Sequence, residues 1–162
     1  DHHLTHPDST HPTEPKEHTT VATLFTKIID GELPGRFVYS DDTCVAFLSI
    51  GPLTTGHTLV VPRQEIDKWT DASPELVAHL TTVAHLIGKA QIPAFGSERA
   101  GLEIAGFEVN HLHVHVWPTN SLEDFDLSRA RTDVPAEEFD AALATLRAEL
   151  VKQGHGGNVP QD

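Results

Sequence analysis

Cysteine, basic charge and long apolar runs are what this 162-residue chain has least of. Cys44 is its single cysteine, which excludes an internal disulfide and a cysteine-rich zinc site. Alone, Cys44 reads as a small buried hydrophobe. Lys and Arg number 11 against 24 Asp and Glu, for a net charge of -13. That balance argues against a nucleic-acid backbone as partner, which asks for a basic patch, and against an anionic membrane surface. A small nucleotide stays open, because donors gathered in a pocket outweigh a distant field. No apolar run approaches the ~20 residues of a membrane span, and the first residues lack the apolar centre of a signal peptide. A soluble, cytoplasmic protein is expected, with one domain and a real core at 38% hydrophobic residues.

Residues 1–20 are rich in His, Pro and Thr and have little to bury, so they read as a flexible tail. His2, His3, His6, His11 and His18 could gather a transition metal there, though at loose spacing. Leu24 to Asp30 reads as a short helix stopped by Gly31. Arg36 to Ser40 and Thr43 to Leu48 are β-rich runs joined by Asp41-Asp42, a hairpin pattern, and His57 to Pro62 is the next strand. Ser73-Pro74 opens an amphipathic helix that carries Leu76, Val77, Leu80, Val83, Ala84 and Ile87 and that Pro93 and Gly96 end. Its His79 and His85 are expected at the rim or in solvent. Leu102 to Ala105 is read as a short strand. Pro135 opens a last helix with a Phe139, Leu143, Leu146, Leu150 stripe, and Gly154 to Asp162 reads as a frayed end. The expected architecture is α+β: a five-stranded, meander-like antiparallel sheet with one long inserted helix and a C-terminal helix. The domain is placed at 21–153, followed by a tail at 154–162.

The stretch that needs a chemical reason is His111-Leu112-His113-Val114-His115-Val116-Trp117. On an extended backbone the three imidazoles project from one face while Leu112, Val114 and Val116 pack on the other. A metal could take two or three of them together with His57. Same-face residues on a flat strand lie ~6.5 to 7 Å apart, however, so all three could share an ion only on a bent strand. Nucleophilic catalysis needs no metal. A neutral imidazole offers a free lone pair that can attack phosphorus, a neighbour can fix its tautomer, and a cationic one can bind phosphate oxygens and protonate the leaving group. Histidines merely satisfied at a domain rim are the bland third reading.

The triad resembles the signature of the histidine triad (HIT) superfamily of nucleotide hydrolases and transferases, His-apolar-His-apolar-His-apolar-apolar. The resemblance extends through Phe25 to Pro34, Asp41 to Phe47 and Gly56 to Arg63, so that it covers roughly residues 22 to 118 in family order. It implies that His113 is the nucleophile taking an α-phosphate. His115 would contact phosphate and help the leaving group depart, His111 would help orient the site, and His57 would complete its hydrogen-bond network. Phe25, Ile28, Phe47 and Ile50 match positions that wrap a purine base in the Hint-like branch, and plain core packing is their competing reading. The resemblance also implies a homodimer with joined sheets, a small nucleotide as partner, and no cofactor.

Several positions depart from the family pattern. Ser49 stands where an Asp usually meets the ribose hydroxyls. Glu108 falls where a donor to phosphate is usual, and Arg99 is the residue that could compensate, with a solvated charge as its commoner reading. Zinc-bearing relatives use cysteines near the first helix, where this chain has Phe25-Thr26, and Glu65 replaces a common histidine, so no structural metal is expected. The reading that follows is a hydrolase or transferase of nucleoside monophosphate conjugates, phosphoramidates or similar, acting through a covalent nucleotidyl-histidine. A dinucleoside polyphosphate hydrolase, a catalytically weak nucleotide-binding protein and a metalloprotein are the alternatives. Asn120 to Arg131 is the segment expected to shape specificity.

Overall fold

A computed structural model describes residues 22–162; the tail at 1–20 and its candidate metal-binding histidines lie outside the described residues. Strand β1 (Phe37–Ser40), β2 (Cys44–Leu48), β3 (Thr58–Pro62), β4 (Arg99–Glu103) and β5 (Val114–Thr119) form one sheet in the order β1-β2-β3-β5-β4. Every pairing is antiparallel. Helices α1 (Leu24–Ile29), α2 (Pro74–Phe95) and α3 (Ala136–Leu150) complete the α+β fold expected from the sequence.

Alternation along the strands divides the sheet into two faces. Cys44, Ala46, Val60, Val114 and Val116 join Leu80, Val83, Ile87, Leu146 and Leu150 in the larger core beneath α2 and α3. Val45, Phe47, Leu59 and Val61 pack on the other face with Phe25 of α1. The hairpin turn between β1 and β2 is held by Asp41, whose Oδ1 accepts from the N–H groups of Thr43 and Cys44 at 2.8 Å each.

Ser73 caps α2 by accepting from Leu76 N–H, and Gly88 brings this helix close to the sheet. A Cβ there would lie 3.2 Å from Ala100 Cβ and 3.6 Å from Val116 Cγ2. Pro93, expected to help end the helix, sits inside it, and α2 stops only at left-handed Gly96. The carbonyl orphaned by the missing Pro93 N–H is that of Lys89. It is satisfied instead by Gln153 Nε2 at 3.1 Å.

Three further expectations are corrected. Strand β4 starts at Arg99 rather than Leu102, because Asn120 Oδ1 accepts from Glu98 N–H and draws the chain into register opposite Thr119. Residues 154–162 are folded back rather than frayed: Val159 is buried, and Asn158 Nδ2 donates to Ser40 O. In the triad segment only Val114 onward is strand, and the chain bends at His111 ahead of it. Among the described residues no helix is long and apolar enough to cross a membrane.

Candidate functional site

The bend before β5 sorts the three histidines. His113 and His115 line a cavity of about 430 Å³ on the α1 face of the sheet, with His57 beside them. His111 is fully buried behind them and does not line it. Its Nε2 donates to Pro62 O at 2.7 Å and its Nδ1 meets Thr23 Oγ1 at 2.6 Å. Burial outweighs the Pro62 hydrogen bond and lowers its pKa, so Nδ1 accepts the Thr23 hydroxyl proton. The His111 main chain serves the site: its carbonyl accepts from His113 Nδ1 at 2.7 Å. With that nitrogen protonated, the lone pair of neutral His113 is on Nε2.

A second chain fixes His115. Leu53 N–H donates to His57 Nδ1 at 3.0 Å, which leaves the proton of neutral His57 on Nε2. That proton goes to His115 Nδ1 at 2.9 Å, so His115 carries its own proton on Nε2. Burial, followed by the proximity of His115 and His113, lowers the His57 pKa to about 3. Burial and His113 lower that of His115 to about 4. His115 is therefore a neutral donor at pH 7. Trp117, fully buried, lies 5.4 Å from the His57 ring and donates from Nε1 to Asp124 O.

The apolar half of the cavity is built by α1, β2 and β3. Phe25 meets His113 edge to face at 4.9 Å and Phe47 at 5.5 Å. Ile28, Phe47, Ser49, Ile50 and Glu108 also line the cavity. Arg99 is not brought there. It sits at the far end of β4, opposite Thr119 while Glu103 is opposite His115, roughly 13 Å along the strand, and its side chain is exposed beside Glu98.

Leu127, Ala130 and Arg131, from the segment singled out for specificity, line the cavity too. Sequence reasoning missed Thr132 just beyond them, the link from Thr23 and Thr26 to the triad, and Gln91. Arg131 is anchored by its N–H to Pro52 O and by Nη2 to Glu138 Oε2 at 3.1 Å. Thr23 and Thr26 tie α1 to the triad through Glu65, whose Oε1 accepts from Thr23 N–H at 3.0 Å and Thr26 Oγ1 at 2.6 Å. Gln91, fully buried on α2, donates from Nε2 to Gly56 O and Val116 O, both at 3.0 Å. Its signal was present: Gln91 follows Ala84, Ile87 and Gly88 on the apolar stripe of the helix.

Metal ligation fits poorly. The cluster of Thr23, Thr26, Glu65 and His111 offers no thiolate, and both His111 nitrogens are already hydrogen-bonded. Asp41, Cys44 and His79 bring potential ligand atoms within 4.8 Å of one another. Burial pushes the Cys44 thiol up, however. Hydrogen bonds from Cys44 and Thr43 N–H, His79 and Tyr39 outweigh burial and hold Asp41 at about 2. His79 sits at the rim, partly exposed and paired with Asp41 at 2.7 Å.

A family profile described as the HIT domain matches residues 30–122, more than half of the chain. The chain belongs to the HIT family. It is 35% identical over 124 residues to an uncharacterized HIT-like protein of Borreliella burgdorferi, covering 72% of this chain and 89% of that protein. Its fold is similar to that of a zinc-bound histidine triad family protein from Mycobacterium smegmatis, with a TM-score of 0.71 and 30% identity. That match covers 83% of this chain and 97% of the other. The adenylylsulfatase HINT3 of Arabidopsis thaliana is 34% identical over 100 residues, 59% of this chain and 51% of that protein.

Proposed function

We propose that this HIT protein binds a nucleotide in the cavity and hydrolyses nucleoside monophosphate conjugates, phosphoramidates or similar, through a covalent nucleotidyl-histidine. One observation carries the reading: His113 Nδ1–H is committed to the His111 carbonyl, which leaves Nε2 as the nucleophilic lone pair at an apolar cavity wall. That wall, formed by Phe25, Ile28, Phe47 and Leu59, suits the face of a base.

In the reaction His113 Nε2 attacks the α-phosphorus as the bond to the leaving group breaks; the departing nitrogen keeps that electron pair and takes a proton from water, so that it leaves as the neutral amine. The imidazole becomes cationic, and the His111 carbonyl 2.7 Å from Nδ1 stabilises that charge. The Nε2–H of His115 donates to a phosphoryl oxygen and stabilises the charge that develops there. Water then attacks the phosphorus, the P–N pair returns to Nε2, and the nucleoside monophosphate leaves. HINT3 is named for cleaving an adenylyl conjugate, which accords with this class of substrate.

A second reading, nucleotide binding with little turnover, is favoured by Glu108, a carboxylate lining the same cavity as His113 and His115. Either reading includes a homodimer. Among the described residues strand β4 is a sheet edge, and Leu102 within it and Phe107 after it are exposed at 48% and 95%, which suits pairing with a second copy.

Intact-mass spectrometry after mixing with an adenosine phosphoramidate tests the reading. Hydrolysis predicts a transient nucleotidyl adduct on the parent and none on His113→Ala. Calorimetric binding without adduct or product would select the second reading.

A further inference from the structure

Gln91 lies on α2 beneath the sheet, on the face opposite the cavity, with no exposed surface. Both of its bonds run to main-chain carbonyls, Gly56 O and Val116 O, at 3.0 Å. These carbonyls belong to the residue before His57 and the residue after His115. The amide orientation is forced, because only the –NH2 end can face two acceptors. Its Oε1 has no partner among the described residues, so the amide leaves one buried acceptor unmet while its Nε2 serves two main-chain carbonyls.

The contact depends on close approach of the helix. Gly88, one turn earlier, leaves room for α2 to sit against Ala100 and Val116, which lets a side chain as short as Gln91 span to both strands. Thr58 Oγ1 also donates to Gly56 O, at 2.9 Å, so that carbonyl is held from two directions. The β3–β5 ladder pairs Thr58 with Val116 and Leu59 with His115. The ladder does not continue beyond Thr58; there Gln91 joins Thr54, whose Oγ1 donates to Pro118 O at 2.7 Å, in tying the two chain segments where His57 leaves the strand.

We infer that Gln91 is a positioning residue for the proposed reaction: by clamping the main chain at Gly56 and Val116 it sets the His57–His115 hydrogen bond, and through it the tautomer that aims the His115 Nε2–H at the phosphoryl group. The inference rests on the nucleotidyl-transfer reading for its kinetic consequence and on geometry alone for the tautomer. Gln91 touches neither ring and no part of the cavity.

Gln91→Met keeps the length of the side chain and removes both donors. With the adenosine phosphoramidate as substrate, kcat falls about 10- to 100-fold, as expected when reacting groups are misplaced by a fraction of an ångström to 1 Å, while KM stays within about twofold. Imidazole ¹⁵N spectra at pH 7 supply the readout that a general loss of packing would not move. The parent gives His115 with Nδ1 unprotonated and Nε2 protonated, and Gln91→Met averages the two tautomers. Gly88→Ala keeps the amide but lifts the helix, and it gives a smaller change of the same sign; it carries the test if Gln91→Met does not fold. Unchanged kcat together with an unchanged His115 tautomer in the folded variant overturns the inference. A parent that forms no adduct overturns the nucleotidyl-transfer reading instead, and the tautomer comparison still decides the role of Gln91.

Discussion

His57 gives its Nε2 proton to His115 Nδ1 across 2.9 Å because the Leu53 N–H already occupies the other side of the His57 ring. The direction of this bond determines what His115 can do. A donor at its Nε2 is aimed outward only while its Nδ1 is an acceptor. Replacing His57 by Leu leaves Leu53 N–H and His115 Nδ1 without partners in a buried site. We expect a loss of about 1–3 kcal/mol of stability from these groups and a kcat lower by about 10- to 100-fold, with KM little changed. Chemical denaturation and steady-state kinetics on the same samples measure both.

The same burial makes stability pH-dependent. His57 and His115 have folded-state pKa values of about 3 and about 4 against an ordinary 6.5, and His111 is shifted in the same direction. Above pH 6.5 these groups are neutral in both states and contribute no slope. Below it the unfolded chain binds protons that the folded protein refuses, so stability falls with falling pH until the folded values are reached. Each fully refused proton costs about 1.4 kcal/mol per pH unit. Between pH 6 and 5, before ordinary carboxylates titrate, thermal melting should therefore decline steeply, and His57→Leu should flatten the decline. A melting temperature constant over that interval would contradict the arrangement.

Glu65 connects the first helix to the triad, and this gives a third prediction. Its carboxylate accepts from Thr23 N–H and Thr26 Oγ1, while Thr23 Oγ1 meets His111. Glu65→Ala frees the start of α1, which carries the Phe25 and Ile28 wall, and leaves His113 and His115 untouched. A net loss of about 1 kcal/mol in this anchoring raises the nucleotide KM about fivefold with kcat unchanged. Isothermal titration with a nucleoside monophosphate checks the affinity directly.

How far the chain could be read follows from the range of each interaction. Local signals were legible: Ser73 before Pro74 caps α2, and Asp41 turns the first hairpin through bonds to its own near neighbours. The spacing of the triad separated Leu112, Val114 and Val116 from the histidines, and those three residues are in the core. Long-range partners were not legible. Pro93 stays within a helix because Gln153, from beyond α3, satisfies the Lys89 carbonyl. Residues 154–162 fold back because Ser40 and Arg147 supply partners. Arg99 could be read either as a charge compensating Glu108 or as a solvated one, and the register of β4, which carries it to the far end of the strand, decides for the second. The bend at His111 lies where its ring meets Thr23, 88 positions away.

Glu108 offers the sharpest electrostatic test. It lines the cavity with His113 and His115, where a substrate phosphate would bring a second negative charge. Two unit charges about 7 Å apart at an effective dielectric of about 40 repel by roughly 1 kcal/mol. Glu108→Gln removes that repulsion with little change of volume, so it should lower the nucleotide KM about fivefold at low ionic strength. Glu108 is exposed, so salt should screen the difference, and the parent and variant should converge as ionic strength approaches 1 M. A turnover that rises along with affinity means that the carboxylate restrains catalysis in the parent. A turnover that collapses means instead that Glu108 handles a proton for the leaving group. Titrating KM and kcat against salt for both proteins separates the two, because screening moves the first effect and leaves the second in place.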